Sequence, residues 1–228
     1  MEGVRVMKVL LLNGSPRANS CTYTALCEIK KQLESHGVET ELFQIGARPV
    51  AGCIACGACG ETGKCVFDDN VNEFIEKMKQ ADGLIVGSPV YYASASGQVA
   101  AFLDRAFYVA GSYMDGKPAA AIVSCRRGGA SAAFDQLNKY FSISNMPIVT
   151  SNYWNQVHGN TPEEVVKDEE GMQTMRILAD NMAWLLKCIE CAKKAGIDKP
   201  ARENKIRTNF IRELLPEDGI ALFDCSFL

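Results

Sequence analysis

Seven residues near the start, Val6 to Leu12 (VMKVLLL), are apolar almost without interruption and stop at Asn13-Gly14. A run this short and this apolar suits a strand buried on both faces. The next nine residues, Gly14 to Thr22 (GSPRANSCT), are polar and small. They open a segment from about Thr22 to Ser35 in which Leu26, Ile29 and Leu33 recur at helical spacing, and Gly37 stands where a helix C-terminus favours it. A doubly buried strand feeding a helix needs layers on both sides of its sheet, which restricts the chain to an α/β architecture.

The rest of the sequence repeats that alternation. Val38 to Ile45 reads as a second strand. A cysteine-rich loop, 46–69, follows, and Asp69 or Asn70 can cap a helix carrying Val71, Phe74, Ile75 and Met78. Gly83 to Gly87 is a third strand, followed by SPVYYASASG and a helix from about Gln98 to Val109. Ala119 to Ser124 is a fourth, followed by CRRGGA and a helix to about Tyr140. Pro147 to Ser151 is expected to start a fifth strand, and a long helix spans about Glu169 to Ala195. Five strands separated by helices imply a parallel sheet with right-handed crossovers. Residues 1–198 are expected to form one domain, and 199–228 a tail.

Charge and hydropathy exclude several classes. Net charge is -3 with a pI near 5.5, which offers no electrostatic footprint for nucleic acid. No apolar run approaches the roughly 18 residues of a membrane span, and Met1 to Lys8 carries charges inside its short apolar stretch, unlike a signal peptide. A cytoplasmic protein is expected. Ten cysteines in such a chain then point to metal or redox chemistry rather than to a disulfide framework.

The loop after the first strand suits a phosphate. A helix N-terminus offers free backbone N–H groups and positive dipole; Ser15, Ser20 and Thr22 add hydroxyls, and Arg17 a charged fork. It has neither the Lys-Ser/Thr ending of a nucleoside-triphosphate loop nor G-x-G-x-x-G, so a monophosphate is expected. Ligands of an open α/β sheet sit beyond the carboxyl ends of the strands. That brings in Pro89, Val90, Tyr91 and Tyr92 as apolar and aromatic surface, and the loop Ser124 to Ala130, where Gly128 and Gly129 allow close approach of the backbone.

GSPRANSCT resembles the phosphate loop of flavodoxin-like NAD(P)H-dependent FMN reductases, and Ala81 to Arg105 resembles that family's third strand, flavin loop and following helix. The resemblance implies a flavodoxin-like, doubly wound, five-stranded parallel sheet in the order 2-1-3-4-5. It implies FMN held at its phosphate by Ser15, Arg17, Asn19, Ser20, Cys21 and Thr22, and at its ring by Pro89, Val90, Tyr91 and Tyr92 with Ser124, Arg126, Gly128 and Gly129. It further implies NAD(P)H as co-substrate and a homodimer or homotetramer to which the tail contributes.

Cys53-x2-Cys56-x2-Cys59-x5-Cys65 is the second constellation. Three thiols in seven residues and a fourth slightly later suit a compact loop around one iron–sulfur cubane, and Ala55, Gly57, Ala58 and Gly60 let the chain turn tightly. Structural zinc sites usually space their C-x2-C pairs further apart; zinc, or a thiol loop without metal, are the alternatives. The run GCIACGACGETGKCVFDDN resembles the motif of iron–sulfur flavoproteins, and EEGMQT at Glu169 to Thr174 is similar to a segment of the same family. That resemblance implies a [4Fe–4S] cluster near FMN, and ferredoxin as an alternative electron donor. The expected function is FMN-dependent electron transfer from NAD(P)H or reduced ferredoxin to a small-molecule or protein acceptor. Its rival is an electron-transfer module with no substrate of its own. Cys188 and Cys191, three apart on a helix, are expected in the core, and His158 in an exposed loop.

Overall fold

In chain order the elements are β1 (Lys8–Asn13), α1 (Cys21–Ser35), β2 (Glu39–Gln44), α2 (Cys59–Thr62), α3 (Asn70–Gln80), β3 (Gly83–Tyr91), β4 (Ser94–Ala95), α4 (Gly97–Ala110), a 3₁₀ turn (Gly111–Met114), β5 (Ala119–Cys125), α5 (Ala130–Ile143), β6 (Gln156–His158), α6 (Pro162–Val166) and α7 (Glu169–Lys194). They come from a computed structural model that describes residues 6–201 and 203. The sheet runs β2-β1-β3-β5-β6, all parallel, with β4 paired antiparallel to the end of β3. Without β4 this is the expected 2-1-3-4-5 order.

The unbroken apolar run in β1 is explained by the two layers it separates. Leu10 and Leu12 enter the core beneath α3, α4 and α5, whereas Val9 and Leu11 enter the core beneath α1 and α7; all four are fully buried. β3 and β5 divide their side chains in the same way. One layer closes on a trio of rings, Phe43, Phe74 and Phe102, with centroids 5.1 to 6.1 Å apart and tilted or edge-on geometry. The other closes on α7, where Met175, Leu178, Ala179, Met182, Ala183 and Leu186 form the buried stripe.

The fifth strand lies later than expected. Pro147 to Ser151 contributes one isolated bridge, Ala119 with Ile148, and the strand proper is β6. Asn155 makes the difference. Its Nδ2 donates to the Ala121 carbonyl at 3.1 Å and its own carbonyl accepts from Val123 N at 3.0 Å, so a side chain takes over one strand-edge bond before regular pairing begins. Cys188 and Cys191 are exposed, contrary to expectation, because the buried stripe of α7 ends at Leu186. Among the described residues no helix is long and apolar enough to cross a membrane. Of the tail, 199–228, all but residues 199–201 and 203 lie outside the described residues.

Candidate functional site

Three loops leave the carboxyl ends of β1, β3 and β5, and side-chain and backbone bonds tie them together. Gly14 N donates to the Gly87 carbonyl at 2.8 Å. Ser96 Oγ reaches the Gly14 carbonyl at 3.5 Å, and Ser96 N donates to Ser88 Oγ at 3.1 Å. Thr22 Oγ1 and Ser124 Oγ, both buried, share a hydrogen bond of 2.8 Å that joins the first loop to the third. The third loop also lies against the second: a Cβ on Gly129 would sit 2.6 Å from Ala93 Cα. Glycine is therefore required at Gly129 on two counts, since its φ is 91°.

Within the first loop, Ser15 is buried, its N–H donating to Asn13 Oδ1 and its Oγ accepting from Arg17 N. Ser20 caps α1, its Oγ accepting from Tyr23 N at 3.1 Å. That leaves the N–H groups of Cys21 and Thr22, in the first turn, without an intrahelical acceptor. Arg17 and Asn19 are exposed at the mouth of this loop. The Cys21 thiol instead turns to the Gly159 carbonyl at 3.6 Å, and burial pushes its pKa up. The Thr22 hydroxyl is engaged by Ser124. What this loop presents to an anion is therefore backbone N–H, the Arg17 side chain and positive helix dipole, with no carboxylate in its own sequence, although Glu164 and Glu163 of α6 lie near enough to act on Cys21.

Pro89 and Val90 are half-buried at the end of β3, and Tyr91 and Tyr92 are exposed rather than in the core. Tyr91 and Ser94 pair across a two-residue turn whose central residues, Tyr92 and Ala93, have φ of 49° and 58°. Such turns normally carry Asn or Gly, so this hairpin holds two residues in a disfavoured conformation beside the loop junction. Gln136 steadies it by accepting from Ser94 Oγ and Ala95 N. Arg126, Arg127 and Gly128 are exposed on the third loop.

His158 is not in a free loop. It ends β6, half-buried, with Nδ1 3.5 Å from Cys125 Sγ and its N–H donating to Asp168 Oδ2 at 2.6 Å. Asp168 contacts the backbone and not the ring, and burial pushes the Cys125 thiol up. A thiol held protonated is no activated nucleophile.

The cysteine loop forms a separate cavity. Cys53, Cys56, Cys59 and Cys65 line a small, partly open cavity of about 20 Å³ with Ile54, Val66, Tyr108 and Val109. Cys53 and Cys56 are exposed, and Cys59 opens α2. Backbone conformations are special here too, with φ of 53° at Ala55 and 75° at Gly57. Among the described residues no three His, Cys, Asp or Glu side chains are gathered closely enough to hold a metal ion, so the four thiols line the cavity without converging on one point. In its chemistry the donor set nonetheless fits an iron–sulfur cluster, being four thiols that line one largely apolar pocket with no carboxylate or histidine in its lining. Arg105 of α4 closes that cavity, its Nε 3.1 Å from Cys65 Sγ. Burial works against its charge, but Asp69 and Cys65 together raise its pKa above the ordinary value. Sequence reasoning missed Arg105, Ser88 and Ser96. The available signal was a charged residue three positions after Phe102, on the apolar stripe of α4.

Residues 7–161 match the family model described as NADPH-dependent FMN reductase. The chain is 33% identical over 192 residues to an iron–sulfur flavoprotein of Methanocaldococcus jannaschii, covering 81% of this chain and 100% of that one. It is 31% identical over 189 residues to an iron–sulfur flavoprotein of Methanosarcina thermophila, covering 81% and 97%. In fold it is similar to the flavoenzyme FerB, an NAD(P)H:(acceptor) oxidoreductase from Paracoccus denitrificans, at 19% identity and a TM-score of 0.61 over 80% of this chain and 98% of that one.

Proposed function

The chain belongs to the NADPH-dependent FMN reductase family, and from that premise we propose that it is an FMN oxidoreductase whose cysteine loop holds a [4Fe–4S] cluster. Electrons pass from NAD(P)H or reduced ferredoxin to a small-molecule or protein acceptor. One observation carries this reading: the loops after β1, β3 and β5 are bonded into a single edge, by Gly14 to Gly87 and Thr22 to Ser124, with a helix N-terminus at its centre.

The N–H groups of Cys21 and Thr22 take the FMN phosphate, Ser15 and Ser20 shape the turn that presents them, and Arg17 and Asn19 close over it. Pro89, Val90, Tyr91 and Tyr92 supply one wall for the ring. Ser124, Gly128 and Gly129 bring the third loop up to it, and Arg126 supplies positive charge beside it. Bound flavin provides the redox chemistry, taking a hydride or single electrons; the chain's part is to bind, orient and shield it. No general acid or base is needed for hydride transfer. Cys53, Cys56, Cys59 and Cys65 are the cluster ligands, and Ile54 and Val66 line the same pocket.

The same cysteine loop favours a second role, that of a carrier fed by a protein donor. Anaerobic addition of NADPH, NADH or reduced ferredoxin to the holoprotein decides between them. Rapid bleaching of the flavin bands by a nicotinamide supports the reductase. Bleaching by reduced ferredoxin alone assigns the carrier, and bleaching by none of the three refutes both.

A further inference from the structure

Arg105 is the largest fully buried side chain of the described residues. Burying a guanidinium is costly unless its donors are satisfied, and an apolar residue of similar volume is often at least as stable in such a place. The sequence around it, FLDRAF, would accept one. What Arg105 contacts accounts for its presence. Nη1 and Nη2 donate to the two carboxylate oxygens of Asp69 at 2.7 and 2.8 Å, Nη1 also to the Ala51 carbonyl at 3.3 Å, and Nε to Cys65 Sγ at 3.1 Å. The Phe67 ring lies 4.8 Å from Cζ. One side chain therefore grips the cysteine loop just before its first cysteine and again at and beyond its last. Asn72 completes the hold on Cys65, Oδ1 accepting from its N–H and Nδ2 donating to its carbonyl.

We propose that Arg105 is the positioning residue of the cysteine loop: its guanidinium fixes Cys65 as the preformed ligand and donates Nε–H to that sulfur. The inference rests on the reading of the loop as a cluster site. Cys53 and Cys56 are exposed and Cys59 and Cys65 partly buried; of these four thiols Cys65 is the one whose sulfur accepts a side-chain hydrogen bond, so it is the one that the fold places before any metal arrives. A ligating sulfur that accepts a charge-assisted N–H is a poorer electron donor to iron, which raises the potential of the site. Asp69 serves twice, holding Arg105 and capping α3 through Val71 N. Arg105 thereby links the cysteine loop to both α3 and α4.

The test uses full-length protein purified without oxygen, with FMN content and thermal melting as checks on the fold. Wild type is compared with R105K, which keeps the charge but loses the fork and the Nε–H, and with D69N/R105M, which removes both charges while Asn still caps the helix. Wild type is expected to carry iron and acid-labile sulfide. Both variants are expected to lose iron to a competing chelator at about 10–100-fold lower concentration. Their remaining iron centre is expected at a lower midpoint potential, while the midpoint of FMN stays put. If the double variant fails to fold, R105K alone decides. Iron-loaded variants with wild-type chelator resistance and midpoint would overturn the role of Arg105 and leave the cluster reading standing. Wild-type protein without iron or sulfide would overturn the cluster reading, and this assignment with it.

Discussion

Gly14 donates its N–H to the Gly87 carbonyl across 2.8 Å, at the point where the first loop leaves β1 and β3 heads for the hairpin. Both glycines allow the approach. A Cβ on Gly14 would lie 2.6 Å from that same carbonyl oxygen and 2.2 Å from Val99 Cγ2, and one on Gly87 would lie 2.8 Å from Thr22 Cγ2.

Gly14→Ala should therefore lower stability by about 1–3 kcal/mol or more, since the nearer obstacles are backbone and a β-branched core residue. Chemical denaturation of the apoprotein measures this. FMN affinity should fall in parallel, because the displaced segment leads into α1. Wild-type stability in this variant would show that the two loops are not packed as described.

Ala93 sits at φ 58° in the β3–β4 turn. A left-handed alanine stores roughly 1–2 kcal/mol, part of which glycine gives back through its larger unfolded-state entropy. Ala93→Gly should raise stability by about 0.5–1 kcal/mol in urea unfolding. A loss of stability would mean that the hairpin is unstrained.

Glu41 stands between Lys77 and Lys8, whose hydrogen bonds and charges hold its carboxyl below the ordinary carboxylate range. A depressed carboxylate pKa gives stability that is present above the unfolded-state value near 4.5 and lost as pH falls through the folded one. Glu41→Gln should be less stable than wild type at neutral pH and should lose less on acidification below about pH 4.5. Urea midpoints at neutral and acid pH check the sign. Parallel curves for the two proteins would contradict the pairing.

The parallel sheet was legible because doubly buried strands are short, continuous and apolar. VMKVLLL, GLIVG and AAAIVS became β1, β3 and β5 within a few residues. β6 was not, because one side chain, Asn155, substitutes for regular pairing and leaves only three residues in the strand. The phosphate loop could be placed by its position between a strand and a helix. The direction of its side chains could not: Cys21 faces Gly159, and Thr22 faces Ser124 from 102 positions away. Arg105 was hidden for the same reason, since its partners Cys65 and Asp69 lie 40 and 36 residues distant.

All the proposed chemistry needs flavin at the edge where Gly14–Thr22 meets the loops after β3 and β5. Titrating FMN into flavin-free protein and following flavin fluorescence tests this directly. The account predicts saturable uptake of one FMN per chain, weakened roughly 10–100-fold in Arg17→Ala by loss of a charge-assisted bond of about 1.5–3 kcal/mol. A protein that takes up no FMN would contradict it, and uptake unchanged by Arg17→Ala would move the phosphate elsewhere.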